Sequence, residues 1–485
     1  MIRCAGVTLA AMVLFAGCAP TAEPRGLLGR LWHLEVGPDY RRPGVDMPDD
    51  FRGRLGPAEA ESFADLPWWQ VFGDAVLQDL VRRALAGNYN LQSAVASVEQ
   101  ARAQVGIAAS ELSPQLGYQG SAEREKIFFT PNFPSTTFNT FQGALNVAWE
   151  IDLWGRIRRA TEAARAQFWA SEEARRGVVI TLVSDVATGY FQLLELEREL
   201  AIAHESADTY QRTLEVFTQR YLGGTDTKIS TSRAEANLQA SIASIAALRR
   251  QITQQEDAIS VLLGTNPGPI ERGIPLVAQT TPETPPGLTS TVLRRRPDIR
   301  EAEQNMINAN AQIGVAVANF FPVLGLSALY GNSGSKISNV FKDGASVWNI
   351  AANLSGPIFQ GGNLIQSYYA QQAFWDEMIA DYRATIVEAF REVADALAAE
   401  VWLEEQRKAQ ETQVAALREA VDLSLASYEV GVSDYIDVLD AEQQLYPAEN
   451  SLAETELDQL LAVVNLYKAL GGGWDVPSSD QDEGV

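Results

Sequence analysis

Residues 90–114 read NLQSAVASVEQARAQVGIAASELSP, and residues 298–322 read DIREAEQNMINANAQIGVAVANFFP. Laid one over the other, Leu91 falls on Ile299, Ala101 on Ala309, Gln104 on Gln312, Gly106 on Gly314 and Pro114 on Pro322. An offset of about 207 residues recurs downstream. Trp154-Gly155-Arg156 meets Gln360-Gly361-Gly362, Tyr221 to Gly224 meets Tyr428 to Gly431, and Leu263-Gly264 meets Leu470-Gly471. Such a unit is far too long for a solenoid repeat. It implies two similar halves about a pseudo-symmetry axis, which is how one chain supplies twice the staves of a ring.

Each half opens on helical segments, 75–87 and 88–113 in the first, where Ser113-Pro114 stops the second helix. Long helices follow. From about Gly155 to Leu222 there is no proline, and Val179, Val183, Val186, Tyr190 and Leu193 step by the alternating spacing of a coiled-coil seam. Ile386, Phe390, Val393 and Leu397 repeat it in the second half. At 1.5 Å per residue such a helix reaches roughly 100 Å, more than a compact domain needs. Gly223-Gly224-Thr225-Asp226 turns the first long helix back into one ending near Gly264, and Val430-Gly431-Val432-Ser433-Asp434 does the same before one ending near Gly471. Residues 265–290 hold six prolines and read as a linker, closed by Arg294-Arg295-Arg296-Pro297-Asp298 at a helix start.

Strands are expected between the short and long helices. Over 141–151 the large apolar side chains fall mostly on odd positions, and Trp348, Ile350, Ala352 and Leu354 alternate with Asn349, Ala351 and Asn353 in the matching place. Residues 115–124 and 323–333 supply two partners. Apolar-outward, polar-inward alternation is that of a membrane barrel, although a half-buried soluble sheet has the same period. Four strands are too few to close a barrel, so closure shared among subunits is expected. The loops 128–137 and 334–345 would face outside.

The first 17 residues read as a signal peptide, with basic Arg3 and an apolar run at 7–15 too short to span a bilayer. Leu14-Phe15-Ala16-Gly17-Cys18 resembles a bacterial lipobox, making Cys18 the acylated residue and its lipid the membrane anchor. Ala19 in place of aspartate points such a lipoprotein to the outer membrane. The other cysteine, Cys4, lies within the signal, so no disulfide is expected. No later helix-length apolar segment is apparent, which leaves strands to make any crossing. Residues 18–66 form an extended arm, 67–264 and 291–474 the two repeats, and 475–485 an acidic tail. The net charge of −24 disfavours nucleic acid. It is concentrated in 365–460, with 21 acidic against 5 basic side chains, either as solvated helix faces or as the lining of a water-filled lumen. With only His33 and His204, and no phosphate loop or nucleophile–base arrangement, an enzyme is not expected.

Five passages in order resemble the TolC-like outer membrane efflux proteins, in their lipoprotein branch of NodT/OprM-like channels. They are Gly37-Pro38-Asp39-Tyr40-Arg41-Arg42-Pro43; Trp68-Trp69 with Phe72-Gly73-Asp74; Arg295 to Glu303 with Ile313-Gly314-Val315-Ala316; Gly356 to Gly362; and Val464 to Trp474. The resemblance implies a mainly α chain with a membrane β-barrel portion. Four strands per subunit would contribute to a trimeric twelve-stranded barrel, and the long coiled-coil hairpins to a periplasmic α-barrel. It further implies a homotrimer without cofactor other than the lipid on Cys18, working with a periplasmic adaptor and an inner-membrane pump. The periplasmic gate would fall on Ile436, Asp437 and Asp440, the two aspartates lying at i and i+3 on one helix face, although two solvated helix-start aspartates favoured by the macrodipole fit these positions too. Ser230 and Arg233 stand in the acidic positions of the first half. The hairpin tips Gly223, Gly224, Thr225, Asp226 and Val430, Gly431, Val432, Ser433, Asp434 would meet the adaptor, although plain turn chemistry fits them too. Pro447, where the first half has Ala240, would kink the last helix. The outlet of a type I protein-secretion system and a poreless periplasm-spanning lipoprotein remain the alternatives.

Overall fold

The computed structural model describes residues 35–44, 71, 73–127, 135–280 and 289–472. The signal peptide, Cys18, Trp68-Trp69, most of the arm, loop 128–134, residues 281–288 and the tail lie outside the described residues. The element order is α1 (Ala75–Gly87), α2 (Tyr89–Ser110), β1 (Gln115–Ile127), β2 (Thr136–Ile151), α3 (Arg156–Leu222), α4 (Lys228–Leu262), α5 (Thr289–Arg295), α6 (Pro297–Ala318), β3 (Val323–Gly334), β4 (Ser346–Ser355), α7 (Asn363–Glu429) and α8 (Tyr435–Ala469).

The two halves match element for element. Helices α3 and α7 are both 67 residues long and α4 and α8 both 35, each pair offset by 207. This fixes the elbow ahead of the long helices one residue away from the sequence alignment. Trp154-Gly155-Arg156 stands opposite Gly361-Gly362-Asn363, because helices begin at Arg156 and Asn363 and both Gly155 and Gly362 take positive φ. Two consecutive glycines at 361 and 362 make the one-residue shift equally good by sequence.

One compact unit holds the sheet, with residues 105–164, 309–375 and the described end of the arm. The sheet is an antiparallel meander in the order β1-β2-β3-β4. Its central seam joins the halves, Phe141 opposite Gly334 through Ile151 opposite Leu324. The arm is sewn to this unit at its glycines. A Cβ on Gly37, where φ is +103°, would sit 2.6 Å from the Cα of Gly314, and one on Gly314 would meet the Arg159 side chain at 2.9 Å. Arg159 in turn donates to Asp39 at 3.0 Å and to Glu162 at 2.8 Å. Trp154 stacks on Phe321 with ring centroids 4.7 Å apart and donates its indole N–H to the Pro322 carbonyl.

The second unit holds the helical hairpins, in residues 165–308 and 376–472 with the described parts of 41–104. The expected seam is its core: Val179, Val183, Val186, Tyr190 and Leu193 are all buried, as are Ile386, Val393 and Leu397. One eighteen-residue window of α3 is apolar enough to cross a bilayer, against the expectation that no such segment exists. Two-thirds of it is buried inside the protein, so its apolarity belongs to the coiled-coil core. Asp74 caps α1 through the Val76 and Leu77 amides, and also accepts from the Tyr190 hydroxyl, the Ile274 amide and the Gln279 side chain. Residues 265–280 are therefore no free linker. Arg272 fastens them to Glu197 and Glu256, and Ile270 and Leu276 are buried.

Candidate functional site

The sheet separates its side chains by chemistry. Directly opposed residues of neighbouring strands share a face, and one row runs Tyr118, Leu145, Tyr330, Trp348 across all four strands. Leu116, Val147, Ala328 and Ile350 form the next row. Most of these apolar side chains point to solvent, Tyr118 being 89% and Ile350 78% exposed, while Val147 and Ala328 are half-buried. The other face is mostly polar, with Gln115, Gln119, Ser121, Glu123 and Glu125 of β1, Gln142, Asn146 and Glu150 of β2, Ser327 of β3, and Asn349 and Asn353 of β4, interrupted by Phe138, Val323, Leu329 and Val347. Water-soluble sheets bury the apolar face, whereas this one exposes it over all four strands. That is the pattern of a wall between lipid and an aqueous lumen. In Glu123-Arg124-Glu125-Lys126, the period of two puts both carboxylates on the polar face and both cations on the apolar one.

At the tips of the helical hairpins, the turns are closed by Gly224 and Gly431, both with positive φ. Ile436, Asp437 and Asp440 lie together on the exposed face of the first turns of α8, while Val438, Leu439 and Ala441 are buried behind them. The i, i+3 expectation for the aspartates therefore holds as geometry. Ile436 and Asp440 line a cavity of about 340 Å³ with Arg233, Ala236 and Asn237 of α4 and with Leu439 and Gln443. Asp440 accepts from Gln444 at 2.7 Å.

Behind the tips the two hairpins are tied together by Tyr428 and Arg220, which meet at Asp226 of the first tip and at the Tyr428 carbonyl. The Tyr428 hydroxyl, on the last turn of α7, donates to Asp226 at 2.5 Å. Arg220 of α3 donates to the Tyr428 carbonyl at 2.5 Å and lies over its ring, 4.4 Å from the centroid. Tyr428 also packs edge-on against Phe217, in a buried cluster with Ala234, Val438 and Leu439. Burial works to raise the Asp226 carboxyl, but donors at Ser230, Tyr428 and the Thr227 amide outweigh it and hold the group below its ordinary value. One turn further along α8, Glu442 is buried, accepts from the Thr213 hydroxyl at 2.6 Å, and is pushed up by burial.

The family profile described as "Outer membrane efflux protein" matches residues 80–265 and 288–472, the two repeats in turn. This chain belongs to the outer membrane efflux protein family. It is 33% identical over 447 residues to the probable efflux pump outer membrane protein TtgC of Pseudomonas putida, covering 90% of this chain and 92% of that protein. It is 31% identical to the probable outer membrane lipoprotein SilC of Salmonella typhimurium over 451 residues, 91% of this chain and 96% of that one. The crystal structure of the open state of the Neisseria gonorrhoeae MtrE outer membrane channel superposes with a TM-score of 0.81 at 31% identity, over 91% of this chain and 98% of that one. The protein is thus an outer-membrane channel of an efflux system, and its exposed apolar sheet face and long hairpins are the parts of such a channel.

In this efflux channel the motifs that revealed the family serve the frame. Arg296 of the Arg-Pro-Asp passage is buried, and its guanidinium grips Asp298 with two bonds of 3.0 and 2.6 Å. It also donates to Glu392 and to the Ala469 carbonyl, fastening the start of α6 to α7 and to the end of α8. Asp74 and Gly314 have the same framing role. The residues at the tips that bind the hairpins together, Tyr428 and Arg220, read in the sequence as ordinary positions of a long helix. Only an aromatic followed by a turn glycine in both halves, Tyr221 and Tyr428, hinted at them.

Proposed function

We propose that three copies of this chain form a passive duct through outer membrane and periplasm, giving compounds expelled by an inner-membrane pump a path to the outside. The four-stranded sheet with one apolar face, one polar face and two edge strands carries this reading. Such a sheet is stable only when its edges are paired, and three copies make a twelve-stranded wall. The acyl chains on Cys18 anchor each copy; no other cofactor is involved. The relative SilC is described as a lipoprotein, which supports the anchor.

In this reading the hairpin tips, Gly223 to Asp226 and Val430 to Asp434, receive the periplasmic adaptor. Ile436, Asp437 and Asp440 form the gate. Three copies bring six carboxylates about one axis, where they attract and hold cations. Pro447, exposed in α8 two turns from these residues, removes one backbone bond and bends the helix where it must move. The test is single-channel conductance in planar bilayers for wild type and Asp437→Ala/Asp440→Ala. A mostly closed, cation-selective wild type and a larger or less selective variant conductance are expected. Equal conductance in the two removes the gate from these residues, and no conductance from folded protein removes the duct.

A further inference from the structure

Helix α8 carries a glutamate at every seventh residue on the side it turns to the other long helices: Glu442, Glu449 and Glu456. A spacing of seven keeps all three on one stripe. Two of them meet cations. Glu449 is buried and accepts from the Arg418 guanidinium of α7 at 2.8 and 2.5 Å. Glu456 lies in the field of Arg198 of α3 and Arg407 of α7. Glu442, nearest the tips, is 4% exposed, and among the described residues no cation is bonded to it.

Its seat is built of neutral groups. Oε1 takes the hydroxyl of the fully buried Thr213 at 2.6 Å, while Oε2, also buried, has no donor among the described residues. The Tyr210 hydroxyl donates to the Glu442 main-chain carbonyl, not to the side chain. Arg212 of α3 attracts the carboxylate from the protein surface but bonds the Asp208 carbonyl and the Thr209 hydroxyl. On α8 itself, Tyr446 lies near Tyr210. Arg233 of α4 stands with Asp440 and Gln443 about the tip cavity, and Arg418 of α7 is taken by Glu449. An ionised carboxylate in this seat leaves one oxygen desolvated and without a donor, which is costly. The neutral acid fits. A hydroxyl accepts as well as donates, so Thr213 receives the acid's proton, and the bare oxygen is then that of an uncharged carbonyl. The equivalent residue of the first half, Glu235, is exposed on α4, so one hairpin alone carries this feature.

We propose that Glu442 is a proton-operated latch between the hairpins: as the neutral acid it seats α8 against α3 and keeps the tips tied, and on ionising it loosens that contact. The proposal rests on the reading of the tips as the gate of a duct. Burial raises the carboxyl above its ordinary 4.5 while the hairpins are seated, and solvent returns it there when they part. A group raised in the seated state favours that state fully below its ordinary pKa, and the advantage is lost as pH rises through the seated value. Acid therefore holds the tips closed and alkali frees them. The exposed Asp437 and Asp440 titrate as well, but they are common to wild type and to a Glu442 variant, so the difference between the two reads Glu442 alone.

Glu442→Gln keeps the shape of the side chain and fixes the neutral form. Full-length protein in planar bilayers would be compared at about pH 4 and about pH 8. Wild type is expected to open at least about fivefold more often than Glu442→Gln at the higher pH and equally at the lower, a shift of one pKa unit being about a tenfold change. Glu235→Gln should match wild type at both. Equal open probability of wild type and Glu442→Gln at both pH values, or a difference as large at about pH 4, overturns the latch. If Glu442→Gln fails to fold, Glu442→Met carries the same comparison. Amide hydrogen exchange over residues 437–446, wild type against variant at the same pH, needs no pore. Exchange at least about fivefold faster in wild type at about pH 8, and equal at about pH 4, upholds the latch even without conductance, which would sink the duct alone. Equal exchange at both sinks the latch and leaves the duct standing.

Discussion

Replacing Tyr428 by Phe deletes one hydroxyl from the contact that ties the hairpin tips together and leaves the ring where it is. The ring keeps its packing on Phe217 and its place under Arg220, and the Arg220 bond to the Tyr428 carbonyl is untouched. What goes is the 2.5 Å bond to the Asp226 carboxylate. A hydrogen bond to a charged group contributes about 1.5–3 kcal/mol. Asp226 is half-buried and retains the Ser230 hydroxyl and the Thr227 amide, so water can take the vacated position and the lower figure applies. About 1.5 kcal/mol is about a tenfold change in an equilibrium between tied and untied tips. If opening unties each copy independently, the open probability of single channels in planar bilayers rises about tenfold. If three copies untie together, the factors multiply to about a thousand. Asp226→Asn should act in the same direction, and the double variant should add little, since both remove one bond. The carboxyl's folded pKa lies below its ordinary 3.8, so this contribution is present above that pH and is lost only as pH falls through the folded value. The Tyr428→Phe effect should therefore be the same at about pH 5 and about pH 8. An unchanged open probability in Tyr428→Phe, with additive rather than redundant effects in the double variant, would show that opening does not break this contact.

Two further outcomes follow from buried carboxylates in the helical unit. Burial, reinforced by neighbouring Glu199, Glu454 and Asp458, pushes Glu195 up to about 7. A raised carboxyl stabilises the fold below its ordinary pKa of 4.5 relative to higher pH, with the loss running from there through about 7. Glu195→Gln is expected to remove up to about 3 kcal/mol of that slope, read as a smaller difference in melting temperature between pH 5 and pH 8; an unchanged difference refutes it. Asp74→Ala removes a helix cap and leaves the buried Tyr190 hydroxyl and Ile274 amide short of an acceptor. It should cost about 3 kcal/mol in urea unfolding, and a loss under 1 kcal/mol would mean that water replaces the carboxylate there.

The parts of this fold that repeat were legible in the sequence, because repetition tells core from surface without a partner to compare. Val179 to Leu193 could be placed in a seam since Ile386 to Leu397 copied its spacing, and the strands were found in matching places between helices. Their limits were less clear. β2 begins at Thr136, five residues before the alternation becomes visible at Phe141, since Thr, Asn and Phe138 break the apolar-odd pattern near the strand's start. The apolar window of α3 has the hydropathy of a membrane span, and only its burial inside the protein assigns it to the coiled-coil core. Residues 265–280 looked like a linker because proline and glycine dominate them. Their fastening comes from single long-range bonds to Asp74, Glu197 and Glu256, which leave no local pattern. The same holds for Tyr428 and Arg220. A contact across about 200 residues has no period, and only the folded chain brings its ends together.

Duplication also marks where the halves were free to part, and that divergence is where the channel differs from a symmetric tube. Three identical copies of two identical halves would give a ring of six equal hairpins, each moving alike. Here Asp437 and Asp440 stand opposite Ser230 and Arg233, and Pro447 opposite Ala240, all within the first four turns of α8 and α4. The cavity at the tips is lined from both sides by these unlike residues, Arg233 from one helix and Asp440 from the other. The tie at the tips is equally one-sided. Tyr428 of the second hairpin reaches Asp226 of the first, but the residue equivalent to Asp226 is Ser433, and Tyr221 stands 41% exposed. The second hairpin thus holds on to the first, with no reciprocal bond of the same kind. In the proposed trimer, a closed state built on such contacts would open by moving one class of hairpin against the other, three elements instead of six. The turn glycines follow the opposite rule. Gly224 and Gly431, or Gly264 and Gly471, keep the same positive φ in both halves, because a turn fails in the same way wherever it stands.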